Sequence, residues 1–160
     1  MSIIIGIDPG LTGAIAKVGS GGLMDLRDIP TVPRSAGVVK HQIDGHGLIQ
    51  IFRELTSGHD KNEFFVFLEK VAANPKNGIC AIFSLGMSSG TIETALIACG
   101  LPYDFLPPQV WKRHFKLNKD KDAARALAQR YYPDASLARV KDHNRGEALL
   151  IARYGWELRG

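Results

Sequence analysis

Cysteine is nearly missing from this chain, with only Cys80 and Cys99 in 160 residues. Both stand in apolar contexts with no partner at metal-ligand spacing, so neither a disulfide framework nor a zinc site is indicated, and both are expected as small core residues. Long hydrophobic runs are scarce too. The longest extend only a few residues, well short of the ~20 that a bilayer span requires, and Met1-Ser2 leads into a strand-like run rather than a basic, then apolar, leader. These absences lead to the expectation of a cytoplasmic protein without membrane attachment. No internal repeat, low-complexity tract or second-domain signal occurs, and the whole chain, residues 1–160, reads as a single domain.

The composition that remains, 45% apolar and 22% charged, is that of a globular protein with a real core. Net charge is +4 and unevenly placed: residues 101–160 carry 12 Lys or Arg against 7 Asp or Glu, whereas residues 1–100 carry 8 against 9. A basic last third suits a polyanionic partner, although a merely solvated face has the same signature.

Residues 3–8 are β-branched and read as a strand, followed by a turn through Gly10 and Gly13, a second strand over 14–18, a Gly-rich hairpin loop and a third strand over 23–29. The chain thus begins as an antiparallel meander. Pro30 and Pro33 end it, and residues 30–43 read as loop or irregular edge. Asp44 is placed to cap a helix reaching Leu55, with Leu48, Ile51, Phe52 and Leu55 at helical spacing. Residues 64–68 are apolar throughout, as in a strand covered on both faces. Helices are expected over 88–99, 109–115, 120–131 and 143–156, and a short strand over 103–106. The fold class is therefore α/β: a mixed sheet with its first three strands antiparallel and helices on both faces.

Acids terminate two of these apolar strands. Asp8 closes Ile3-Ile4-Ile5-Gly6-Ile7, and Glu69 closes Phe64-Phe65-Val66-Phe67-Leu68. Strand alternation puts Asp8 on the side of Ile4 and Gly6, and a glycine inside a strand marks a close approach by something else. The third acid, Glu147, shares a helix face with His143, Leu150, Ile151 and Tyr154. Asn144 three residues earlier also permits a capping box in which Glu147 merely reaches back. Three carboxylates desolvated together are costly unless a cation neutralises them. Hard divalent ions such as Mg²⁺ favour such oxygen donors and retain waters, and this combination serves in-line phosphodiester hydrolysis. His143 beside the acids is a metal ligand, which would suit Mn²⁺, a proton-transfer group, or a hydrogen-bonded core histidine. Asp142 and Asn144 are candidates for supporting positions around the acids. Lys112, Arg113, Lys116, Lys119 and Lys121, with Trp111 among them, form the best candidate DNA-facing segment.

With those residues in view, the chain resembles the RuvC-like Holliday junction resolvases of the RNase H-like superfamily. Ile5-Gly6-Ile7-Asp8-Pro9-Gly10-Leu11-Thr12-Gly13 is similar to the family's first motif and Phe67-Leu68-Glu69 to its second. Gly86-Met87-Ser88-Ser89-Gly90, Gly100-Leu101-Pro102, Pro108-Gln109-Val110-Trp111-Lys112 and Lys121-Asp122-Ala123-Ala124-Arg125 follow in the family's order, and the stretch 108–112 resembles the segment that carries a basic active-site residue. Asp142-His143-Asn144-Arg145-Gly146-Glu147-Ala148-Leu149 resembles the last motif of phage and organellar members. The resemblance implies an RNase H-like five-stranded sheet and a homodimer that nicks opposed strands of a four-way DNA junction with Mg²⁺ or Mn²⁺, and no small-molecule cofactor. It further implies Asp8, Glu69, His143 and Glu147 as the metal-binding catalytic set.

The sequence departs from the family pattern in two places. Asn144, not an acid, stands three residues before Glu147, and Val71, Ala72 and Ala73 stand where an aromatic wedge follows the second acid. A RuvX-like nuclease acting on RNA and a non-catalytic branched-DNA-binding module are the alternatives. An ATPase with two related lobes is argued against by length.

Overall fold

The computed structural model describes residues 2–118 and 120–159. In chain order the elements are β1 (Ile3–Asp8), β2 (Ala14–Gly19), β3 (Gly22–Asp28), β4 (Thr31–Pro33), β5 (His41–Ile43), α1 (Gly45–Thr56), β6 (Phe64–Glu69), α2 (Ile79–Cys99), β7 (Tyr103–Leu106), α3 (Pro108–His114), α4 (Lys121–Tyr131) and α5 (His143–Arg159), with single 3₁₀ turns before β6 and α5. The main sheet has the order β3-β2-β1-β6-β7. Its first three strands pair antiparallel and β1, β6 and β7 run parallel. This is the mixed five-stranded sheet that the sequence predicts.

Alternation along the strands divides the interior in two. Ile3, Ile5 and Ile7 join Val66 and Leu68 against α1 and α2. Ile4, Ala16 and Phe67 meet α3, α4 and the buried Leu149, Leu150 and Ile151 of α5 on the opposite face. Each fully buried aliphatic chain contributes about 1.5–3 kcal/mol of transfer free energy, so the second of these faces holds α5 firmly on the sheet. Gly6 sets how closely. A Cβ there would lie 2.8 Å from Ala152 Cα and would overlap Ala152 N and Ala148 O, so the close approach expected at this glycine is the backbone of α5. Gly146 performs the same service towards α4, where a Cβ would meet Arg125 Cα at 3.0 Å.

Asp44 caps α1 as the sequence predicts, accepting from the Gly47 amide at 3.0 Å. Asp120, expected as the first residue of its helix, is instead the cap of α4 and accepts from the Asp122 amide at 2.9 Å. Other expectations need correction. Helix α2 begins at Ile79, nine residues before the predicted start at Ser88. Its first half stands away from the sheet, with Ile79 86% and Phe83 64% exposed, so no core-facing stripe announced it. By length and composition α2 alone among the described residues could cross a bilayer, with mean hydropathy 1.3, yet Ile92, Ala95, Leu96 and Cys99 of its second half pack in the core. Cys99 is buried as expected, whereas Cys80 lies on the exposed half of α2. Residues 30–43, read as loop or irregular edge, contain the separate two-stranded sheet β4–β5.

Candidate active site

β1 and β6 are parallel neighbours in the register Ile7↔Leu68, so the next residues, Asp8 and Glu69, leave the sheet side by side. Adjacent strands are ~4.8 Å apart. Both side chains fall on the face that α5 covers, because they alternate with Ile7 and Leu68 of the other face. The tight crossing of α5 at Gly6 places Ala148 against β1 and hence Glu147 above the strand ends. Oxygens of Asp8, Glu69 and Glu147 accordingly lie within 4.8 Å of one another. Asp8 and Glu147 are each 7% exposed, which is severe desolvation for two carboxylates. The third, Glu69, is half-buried.

This crowding is visible in proton affinity. Burial pushes the Glu69 carboxyl above its usual range and the Glu147 charge pushes it further, while hydrogen bonding to Trp111, the Lys112 charge and hydrogen bonding to Asp8 pull it back. A site whose acids resist joint ionisation is one that a cation stabilises, and three carboxylate oxygens suit a hard divalent ion such as Mg²⁺ or Mn²⁺.

Two residues of α3, Trp111 and Lys112, complete the cluster. Glu69 pairs with Leu106 in the sheet, and Pro107-Pro108 turns the chain directly into α3. Trp111 is thereby fully buried, and its indole nitrogen donates to Glu69 Oε1 at 3.1 Å. Lys112 extends over the Trp111 ring and pairs with Glu147 Oε1 at 3.2 Å. Trp111 is therefore a support for Glu69 and not a DNA-facing aromatic, and Lys112 belongs to the acidic cluster before it meets any ligand. The residues by themselves grouped both with the basic segment, whereas the resemblance of 108–112 to the stretch that carries a basic active-site residue put Lys112 at the site; the strand 103–106 was too short to place Trp111 against β6 without its register. Beside them a cleft of about 720 Å³ runs past Glu69, Lys70, Pro107, Gln109 and Lys112.

His143 does not join the set whose ligand atoms all lie within 4.8 Å of one another. It opens α5 half-buried, with Nδ1 at 3.1 Å from the Val140 carbonyl. Asp142 is 3% exposed and occupied by Arg139, which reaches Oδ1 at 2.7 Å and holds the carboxyl below its usual range. Its link to the site is through the backbone at the entry to α5. Asn144 lies inside α5, so it is not the N-cap of a capping box with Glu147. Its amide donates to the carbonyl and hydroxyl of Thr12 at 2.6 and 3.0 Å, tying α5 to the turn that follows Asp8. Arg145 adds a two-pronged pair with Asp28 at 2.6 and 2.9 Å. Arg113 and Lys116 are exposed. Lys119 lies outside the described residues, and Lys121 opens α4 with its side chain likewise outside the description.

No protein-family model matches the chain, and no curated protein matches it in sequence. Solved structures do. RuvC of Thermus thermophilus in complex with a Holliday junction substrate superposes with a TM-score of 0.69 at 16% identity, covering 99% of this chain and 96% of that one. A second T. thermophilus RuvC structure gives 0.56 at 15% identity, covering 96% and 97%. The chain has a RuvC-like fold.

Proposed function

We propose that this RuvC-like chain is a structure-specific endodeoxyribonuclease that resolves four-way DNA junctions by paired, metal-dependent phosphodiester hydrolysis. The observation that carries the reading is the convergence of Asp8, Glu69 and Glu147, from three remote stretches of chain, at the strand ends. Those three residues would hold Mg²⁺ or Mn²⁺. Such ions supply an activated water and neutralise charge on the attacked phosphate and the leaving 3′ oxygen.

The chain's own groups then have separable roles. Trp111 fixes the orientation of Glu69 through its indole hydrogen bond. Lys112 shares Glu147 in the free protein and, with its side chain 32% exposed, turns to the phosphate when DNA enters the cleft. His143 serves proton transfer: Nδ1–H donation to the Val140 carbonyl leaves Nε2 as the basic nitrogen. Arg113, Lys116, Lys119 and Lys121 engage the DNA backbone, and Asp142 and Asn144 hold the entry to α5.

Cutting two opposed strands takes two such sites, hence a homodimer. The exposed apolar stripe of Ile79, Phe83 and Met87 on α2 supports self-association. The enzyme works in the cytoplasm as a single-domain subunit without a small-molecule cofactor.

The test compares binding and nicking of a labelled four-way junction, a linear duplex and an RNA–DNA hybrid, with Mg²⁺, Mn²⁺ or Ca²⁺. Asp8→Asn and Glu147→Gln are expected to bind the junction and not cut it. Normal cutting by both variants refutes the metal site; equal binding of junction and duplex refutes the substrate; preferential cutting of the hybrid selects the RNA-acting alternative. Binding without cutting by the unaltered chain in both Mg²⁺ and Mn²⁺ selects the non-catalytic module.

A further inference from the structure

A second cleft lies between Leu11 of the β1–β2 turn, the β4–β5 hairpin and the middle of α2. It has a volume of about 150 Å³, and Leu11, Arg34, His41, Gln42, Ser84 and Ser88 are among its lining residues. No carboxylate lines it. Arg34 forms no ion pair among the described residues. Ser88 is only 4% exposed, faces the cleft, and its hydroxyl takes part in no side-chain hydrogen bond among the described residues.

The hairpin is fastened to the catalytic end of the sheet. The Ile29 amide donates to the Gly13 carbonyl at 3.0 Å just before it, and the Asp44 amide to the Pro30 carbonyl at 2.9 Å just after it. Leu11 is three residues beyond Asp8, so the cleft wall begins within about 11 Å of that carboxylate along the chain.

We propose that this cleft seats one backbone phosphate of the bound DNA strand, about three nucleotides from the cut at 3.4 Å rise per nucleotide. Arg34 supplies the charge and a planar donor fork, and the Ser84 and Ser88 hydroxyls and the Gln42 amide supply neutral donors. The hairpin and α3 thus grip the strand on either side of the three acids. This rests on the nuclease reading above.

The experiment measures junction binding in Ca²⁺ across a salt series. Arg34→Ala is expected to weaken binding roughly tenfold and to reduce the slope of log affinity against log salt by about 0.9, with Arg34→Lys restoring the slope. Ser88→Ala is expected to lower affinity about twofold with the slope unchanged. In the wild type, a neutral methylphosphonate at a single position near the cut mimics Arg34→Ala, and Arg34→Ala is indifferent to it. Arg34 is on a surface hairpin, and an unchanged melting temperature establishes that the variants fold.

A wild-type slope in Arg34→Ala, or undiminished sensitivity to every methylphosphonate, overturns the proposal. So does inorganic phosphate titration showing Arg34-dependent binding that leaves the DNA slope untouched, because the cleft is then a free-anion site. Failure of the wild type to prefer junction over duplex removes the junction reading instead, while an Arg34-dependent slope on duplex retains the phosphate seat.

Discussion

Replacing Glu69 by Gln is expected to stabilise the metal-free protein at neutral pH while abolishing its response to divalent ions. Two carboxylates whose oxygens lie within 4.8 Å of each other repel by about 3 kcal/mol at an effective dielectric of ~20. The attraction between Glu69 and Lys112 is lost in the same substitution, so the net gain is about 1–2 kcal/mol. The Gln oxygen can still accept from Trp111, and its amide can donate to Glu147 or Asp8. Because the folded state raises the Glu69 pKa, its stabilising contribution is complete below the unfolded pKa of about 4.3 and is lost as pH rises through the folded value. The difference in melting temperature between Glu69→Gln and wild type is therefore near zero at pH 4 and grows towards pH 8. There it reaches roughly 2–8 °C at about 2–4 °C per kcal/mol for a chain of this size. Taking the difference between the two proteins cancels groups with the opposite dependence, such as Asp142, whose pKa is lowered by Arg139. Addition of 10 mM Mg²⁺ should raise the wild-type melting temperature and not that of Glu69→Gln. A variant that is less stable than wild type at pH 8, or that gains equally from Mg²⁺, refutes the picture of three mutually repelling acids awaiting a cation.

Trp111→Phe keeps the buried ring but removes the indole donor to Glu69, at a cost of about 1–2 kcal/mol. Loss of that donor raises the Glu69 pKa further, so the acidic limb of the pH–rate profile should move to higher pH; an unmoved limb counts against the contact. Gly6→Ala forces α5 away from β1 and should cost about 1–3 kcal/mol or more in denaturant unfolding. It should also eliminate cutting, because Glu147 moves with the helix, and full activity would contradict the placement of that acid. Phe83→Asp puts a charge in the exposed α2 stripe; light scattering should show a monomer and junction cleavage should lose the coupling of its two nicks. A persistent dimer excludes that stripe as the interface.

Much of this architecture was written into short-range patterns. Strand alternation in residues 3–8 gave the side on which Asp8 emerges, the unbroken apolar run 64–68 gave the central strand that ends in Glu69, and the four-residue spacing of the last helix gave the inward face of Glu147. The cap at Asp44 was legible because a side-chain acceptor three residues from an amide is a local event. What stayed hidden depended on register or on exposure. The Glu69↔Leu106 pairing decides that Trp111 and Lys112 arrive at the acids, and no pattern in residues 103–112 encodes it. The first half of α2 was missed because its apolar residues face outward, which removes the helical burial period. His143 shares a helix face with Glu147, yet its ring turns back to Val140, a preference of one side chain that spacing cannot express.

The most direct measurement is anomalous X-ray scattering from crystals of the chain soaked in Mn²⁺. A strong peak enclosed by the carboxylates of Asp8, Glu69 and Glu147 is expected, absent from Asp8→Asn crystals treated alike. Manganese bound elsewhere on the protein, with those carboxylates bare or drawn apart, contradicts the three-acid metal site.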